Sequence, residues 1–198
     1  MPENQLHTDL KSKIQSCILC KDHLPFRPKP IFSFSERSKI IIVGQAPGLK
    51  VHKSGIPWDD ASGKRLREWL GVSNEKFYDV NFFGIIPMGF CYPGRGKSGD
   101  LPPRPECAEK WMKILFETLK NIEITLLIGQ YAQKYFLRKT LKETLTQTVK
   151  NWQQYSPKYL VLPHPSPRNN IWLHKNPWFE SKVLPEVQKR IQQVTNQG

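Results

Sequence analysis

The sequence predicts an α/β fold, a single domain spanning 1–198 in which a central four-stranded, mainly parallel sheet carries helices on both faces. Two observations predict it. Short, wholly apolar runs alternate with amphipathic stretches along the chain, and the runs lack the in–out alternation of a sheet with one wet face. A chain of 198 residues with 22 aromatics is also long enough to bury a core, about 70% of its unfolded surface, without disulfide staples.

The first strand is Lys39-Ile-Ile-Ile-Val-Gly44, an apolar run bounded by charge and glycine. Phe82 to Met88, Ile124 to Ile128 and Tyr159 to Leu162 have the same character and complete the four. Between them, Ser62 to Leu70 has apolar residues at 66, 69 and 70, and Glu106 to Asn121 has them at 111, 112, 114, 115, 116 and 119, spacings of helices with one buried stripe. Gly129 to Leu137 and Trp178 to Val194 read as two more helices, the last following Pro177. Three stretches read as irregular: His23 to Pro30 with its prolines, Tyr92 to Pro105 with four prolines and three glycines, and Pro163 to Pro177. In such a fold the working site lies beyond the carboxyl ends of the strands.

Charge narrows the function. Thirty Lys+Arg against 17 Asp+Glu leave +13, with a pI near 9.7, the footprint of a nucleic-acid binder or of a protein drawn to an anionic membrane surface. No run approaches about 18 consecutive apolar residues, and Met1 to Ile14 holds no signal-peptide core, so the expectation is a cytoplasmic protein with no membrane segment. In a reducing compartment the four cysteines are expected as metal ligands or free thiols. Nothing resembles a coiled coil or a dominant apolar helix face, and a monomer is expected.

Four segments carry chemistry. Gly44-Gln45-Ala46-Pro47-Gly48 directly follows the first strand; its glycines permit a sharp turn and its amides can bind a carbonyl or anion, although an ordinary strand-to-helix turn reads the same way. Ser54-Gly-Ile-Pro-Trp58-Asp59-Asp60-Ala-Ser62-Gly63 ends where a helix begins, so Asp60 or Ser62 is a candidate helix cap, or the segment offers a carboxylate beside a stacking aromatic. His164-Pro165-Ser166-Pro167-Arg168-Asn169 follows the fourth strand, its prolines stiffening the backbone around the histidine. Cys17 and Cys20, with Cys91 and Cys107, form a four-thiolate set suited to tetrahedral zinc or to an iron–sulfur cluster; spacing does not choose between them.

In this order the segments resemble the uracil-DNA glycosylase superfamily, whose first motif has a G-x-x-P-G form and whose second begins His-Pro-Ser. The arrangement of the cysteines is similar to that of the iron–sulfur branches, families four and five, and the resemblance runs from Cys17 to Asn169. It implies a monofunctional DNA glycosylase that hydrolyses the N-glycosidic bond of uracil or another deaminated base, leaving an abasic site, with a 4Fe-4S cluster on the four cysteines and zinc as the alternative. Where family four has a glutamate, this chain has Gln45; where families two and three have an asparagine, it has Ala46. Family five instead uses an aspartate in a Gly-Asp-x-Ser-Gly segment, which Asp59 to Gly63 resembles, so Asp60 becomes the expected catalytic carboxylate, with His164 and Gln45 beside it. Gly44, Ala46, Trp58 and Met88 are the expected base-binding residues, and Ser166, Pro167, Arg168 and Asn169 the expected DNA-binding tip. The asparagine that reads uracil in the family has no counterpart: four residues before Cys91 stands Pro87, and Asn81 is ten away.

Two other readings remain at this stage: a non-catalytic binder of damaged or single-stranded DNA, and a nucleotide-binding protein using Gly44 to Gly48 as a phosphate loop. The latter lacks G-x-G-x-x-G and G-x-x-x-x-G-K-[ST].

Overall fold

The computed structural model describes residues 3–97 and 99–196, with the backbone alone for residues 3–6. Four parallel strands form the central sheet: β1 (Ile40–Val43), β2 (Phe83–Ile85), β5 (Ile124–Ile128) and β6 (Tyr159–Leu162), in the order β2-β1-β5-β6. Ile40 pairs with Phe83 on one side and Ile124 on the other, and Thr125 pairs with Tyr159. The first two strands and β5 are buried at every position, which is why they read as continuous apolar runs.

Alternate residues of each strand feed two cores. Ile40, Ile42, Leu126 and Leu162 pack with Leu66 and Leu70 of α3 (Ala61–Leu70) and with Val187 and Ile191 of α9 (Leu184–Thr195). Ile41, Val43, Leu127 and Val161 pack on the opposite face with Leu10 and Ile14 of α1 (Glu3–Gln15), Trp111 and Leu115 of α5 (Pro105–Thr118), and Ala132 of α6 (Gln130–Leu137). Helices on both faces therefore cover the sheet, as the sequence predicts.

The differences are local. The second strand stops at Ile85 rather than Met88, because the chain then runs alongside the turn after β1: the N–H groups of Met88 and Gly89 donate to the carbonyls of Gly44 and Gln45, both at 3.0 Å. The stretch 92–105 holds a small hairpin, β3 (Arg95–Gly96) and β4 (Gly99–Asp100). The stretch 163–177 holds a helical turn, Pro167–Asn169, and α8 (Asn170–Lys175). With α8, five helices among the described residues lie outside the expected set, the others being α1, α2 (Leu49–Ser54), α4 (Asn74–Phe77) and α7 (Leu145–Lys150). The C-terminal helix starts as a wide turn over Phe179–Val183 before α9, where Pro185 has no N–H to give the regular bond. Among the described residues no helix is long and apolar enough to cross a membrane.

Candidate active site and cysteine centre

Because β1 and β6 run parallel, the segments that leave their carboxyl ends meet at one edge of the sheet. There they enclose a cavity of about 430 Å³ lined by Gly44, Gln45, Ala46, Trp58, Asp60, His164, Ser166, Arg168 and Asn169. That volume is in the range of small-ligand sites. The walls behind are apolar, from Ile31, Ile85 and Pro87.

Trp58 is held in a left-handed backbone conformation, φ 58°. Its place depends on two glycines. A Cβ on Gly44 would come within 2.8 Å of the indole Cζ2, and one on Gly63 within 1.7 Å of the Trp58 carbonyl oxygen. The indole also faces the His164 ring, centroids 5.6 Å apart and planes inclined by 30°. Tyr78 fixes the approach by donating from its hydroxyl to the Pro57 carbonyl at 2.9 Å.

Asp60 is the N-cap of α3: its Oδ1 accepts from the Gly63 N–H at 2.8 Å. The cap and the cavity-lining carboxylate are therefore one residue, so the two sequence readings of Asp60 describe the same geometry. Gln45 also has a structural bond, its Nε2 donating to the Leu101 carbonyl at 3.1 Å, whereas its backbone N–H and that of Ala46 donate to no other described residue.

The loop after β6 is tied down from three sides. Asn169 Nδ2 donates to the His164 carbonyl at 2.7 Å, Ser166 Oγ accepts from the Arg168 N–H at 3.3 Å, and Arg65 of α3 donates to the Ser166 carbonyl and to Asn170 Oδ1 at 3.2 and 2.9 Å. Burial pushes the His164 imidazole below its ordinary range, with the Asp60 carboxylate pulling the other way. Burial dominates, so the ring is neutral at neutral pH. Pro167 sits exposed at the tip and does not line the cavity. Met88 does not line it either; its side chain is buried in the core with Phe90 and Met112, and its N–H supports the Gly44 turn from behind.

Sequence reasoning missed Asp100. The hairpin places it on the cavity wall, where burial raises its carboxyl, Arg168 and Arg95 oppose that rise and Asp60 adds to it. A signal was present, since Asp100 is the one carboxylate between Cys91 and the Pro102-Pro103 pair.

The four cysteines also converge. Cys17 and Cys20 follow α1, Cys91 follows the extension of β2, and Cys107 lies in the first turn of α5; together they line one apolar hollow with Leu19, Leu24, Phe90 and Trp111. None of the four is paired in a disulfide. Burial pushes Cys91 up to about 11 and Cys107 up to about 12; Cys17 and Cys20 add to both rises, and Cys91 adds to that of Cys107. A hydrogen-bond donor meets one sulfur: the Phe90 N–H reaches Cys107 Sγ at 3.4 Å, while the Lys29 backbone and the Arg104 side chain oppose the rises at Cys91 and Cys20. Donors of this kind tune iron–sulfur centres. Among the described residues no three His, Cys, Asp or Glu side chains are gathered for a single metal ion. The four sulfurs nevertheless line one hollow, a donor set with the chemistry that a thiolate-bound group takes.

The chain is similar to the type-4 uracil-DNA glycosylase of Archaeoglobus fulgidus, 27% identical over 129 residues that make up 64% of this chain and 61% of that protein. It thus spans somewhat less than two thirds of that relative's length. Residues 32–188, from just before β1 into α9, match the profile of the uracil DNA glycosylase superfamily, and the chain belongs to that superfamily.

Proposed function

We propose that the protein is a DNA repair enzyme, a monofunctional glycosylase that removes uracil or another deaminated base from DNA by hydrolysis and leaves an abasic site. The observation that carries this reading is the convergence on one cavity of Asp60, His164, Trp58 and the Gln45 and Ala46 N–H groups, which donate to no other described residue.

A base inside a duplex cannot reach such a cavity, so the nucleotide must be extruded, at a cost of a few kcal/mol. The +13 charge favours phosphate contacts that offset this cost, and the Ser166 to Asn169 tip is placed to hold the distorted strand. Inside, Trp58 stacks on the base and the Gln45 and Ala46 N–H groups donate to a base carbonyl. As the bond from the sugar C1′ to the base nitrogen breaks, its electron pair stays with the base and the sugar becomes cationic. Asp60 stabilises that cation and orients the water whose oxygen bonds to C1′, while the neutral His164 donates a hydrogen bond to the developing oxyanion of the base. The water supplies hydroxyl to the sugar and, in sum, a proton to the base.

We also propose that Cys17, Cys20, Cys91 and Cys107 hold a 4Fe-4S cluster. What supports this reading is that the four thiols line one apolar hollow, where the Phe90 N–H meets Cys107 Sγ. Its contribution is a cross-link joining the segment after α1 to the chain on both sides of the hairpin.

The test is a strand-scission assay on oligonucleotides carrying uracil, hypoxanthine, xanthine or thymine, single-stranded and opposite each base, developed with alkali. Cleavage after alkali alone is the expected result. If a DNA-binding, cluster-replete preparation leaves every substrate intact, the damaged-DNA binder takes its place, a reading favoured by the capping bond of Asp60 and the occupied amide of Gln45.

A further inference from the structure

The hairpin β3–β4 supplies Gly99 and Asp100 to the cavity wall, and two contacts hold it there. Gln45 Nε2 donates to the carbonyl of Leu101, the residue after β4. The Arg168 guanidinium lies over Gly99, where a Cβ would come within 2.1 Å of its Nη1. Asp100 is thereby brought against the turn after β1, its Oδ2 lying 3.2 Å from where a Cβ on Gly48 would stand. This is the turn whose Gln45 and Ala46 N–H groups donate to no other described residue.

A base held by those amides needs a further polar partner for its hydrogen-bonding edge. Pro87 lines the cavity and has neither an N–H nor a polar side chain to offer. The Gln45 amide nitrogen is engaged with Leu101, Asn169 with the His164 carbonyl, and Asp60 caps α3. We propose that Asp100 is the specificity-determining residue that reads the edge of the extruded base. The inference rests on the glycosylase reading and names the group that selects its base.

Deamination turns an amino-bearing edge into a carbonyl next to a ring N–H. An uncharged carboxyl offers one O–H donor beside one acceptor, the pair an asparagine amide also offers, and so can satisfy both groups. An ionised carboxylate accepts only and repels the carbonyl. Partial burial and the Asp60 carboxylate favour the uncharged form of Asp100, while Arg168 and Arg95 favour the charged one. Affinity for a deaminated base is therefore greatest below the Asp100 pKa and falls as pH rises through it.

The experiment measures binding of an oligonucleotide holding 2′-fluoro-2′-deoxyuridine, whose glycosidic bond resists hydrolysis, from about pH 4 to 8, against the same strand with 2′-fluoro-2′-deoxycytidine, whose edge carries an amino group. Asp100→Asn keeps a donor beside an acceptor and cannot ionise. It is expected to hold its affinity to high pH where the unmodified protein loses it, and Asp100→Ala to bind about 10- to 100-fold more weakly in acid, the loss of one or two hydrogen bonds in a closed site. His164 also gains a proton in acid but is common to all three proteins, so the difference between them reports on Asp100. Asp100→Ala binding as tightly as the unmodified protein, or Asp100→Asn following the same pH curve, overturns the inference. Cleavage of ordinary uracil DNA by the unmodified protein, measured on the same preparation, tests the glycosylase reading separately.

Discussion

The Trp58 indole and the His164 imidazole lie 5.6 Å apart, centroid to centroid, although 106 residues separate them in the chain (164 − 58). The contact joins the segment before α3 to the loop after β6, and every residue proposed for chemistry lies around it. Its geometry depends on small residues. A Cβ at Gly44 strikes the indole, so Gly44→Ala is expected to shift the ring by a large fraction of an ångström and lower turnover about 100-fold, the scale of misplacement in an organised site. Single-turnover cleavage and Trp58 fluorescence together check it; an unmoved fluorescence spectrum with full activity would refute it.

Asp60 carries two roles that different substitutions separate. Asparagine caps a helix about as well as aspartate, so Asp60→Asn is expected to keep its melting temperature while turnover falls at least about 100-fold with DNA binding retained. Asp60→Ala loses both, with about 1 kcal/mol of stability gone as well. Unchanged turnover in the asparagine variant removes Asp60 from the mechanism.

His164 makes the fold acid-sensitive. Its folded pKa lies below its ordinary value of about 6.5, so on acidification the unfolded chain takes up the proton first. The stability this neutral ring contributes is complete above about pH 6.5 and is lost as pH falls towards the folded pKa. Urea midpoints from about pH 7.5 to 5.5 should therefore fall less for His164→Asn than for the unmodified protein; parallel curves would exclude the effect.

Arg65 braces the tip proposed to contact DNA, through Ser166 and Asn170. Arg65→Ala should raise KM for DNA several-fold while kcat changes little, because the bond fixes the loop rather than the reacting atoms. Steady-state kinetics distinguishes this from a fall in kcat, the result that would place Arg65 in the chemistry.

Serine at Cys91 or Cys107 should abolish the broad visible absorbance and the stoichiometric iron of the purified protein, and lower its melting temperature, because binding energy at such a centre is folding energy. A colourless native protein with stoichiometric zinc would sink the iron–sulfur proposal.

The four strands and the main helices were legible because each is a local pattern: Ile40 to Val43 and Ile124 to Ile128 are apolar throughout since both faces are covered, and α3 and α5 show their buried stripes. The ordered motifs and the cysteine spacing were legible for the same reason. Elements without a local pattern were not. Among its described residues, α1 is a mostly polar helix docked by Leu10 and Ile14, and α8 buries none of its residues, so neither has a periodicity to read. The strands of the hairpin are two residues each inside a stretch rich in proline and glycine.

What the chain order alone determined is the set of groups: the glycine turn, the aspartate before a helix, the stiffened histidine and the four thiols. Tertiary structure decided which of them meet. It turned Met88 into the core, made Asp60 both cap and wall, and brought Asp100 across to face them. Those outcomes depend on parallel strand pairing and on close approaches at Gly44, Gly63 and Gly99, contacts between segments whose separation along the chain leaves no trace in local composition.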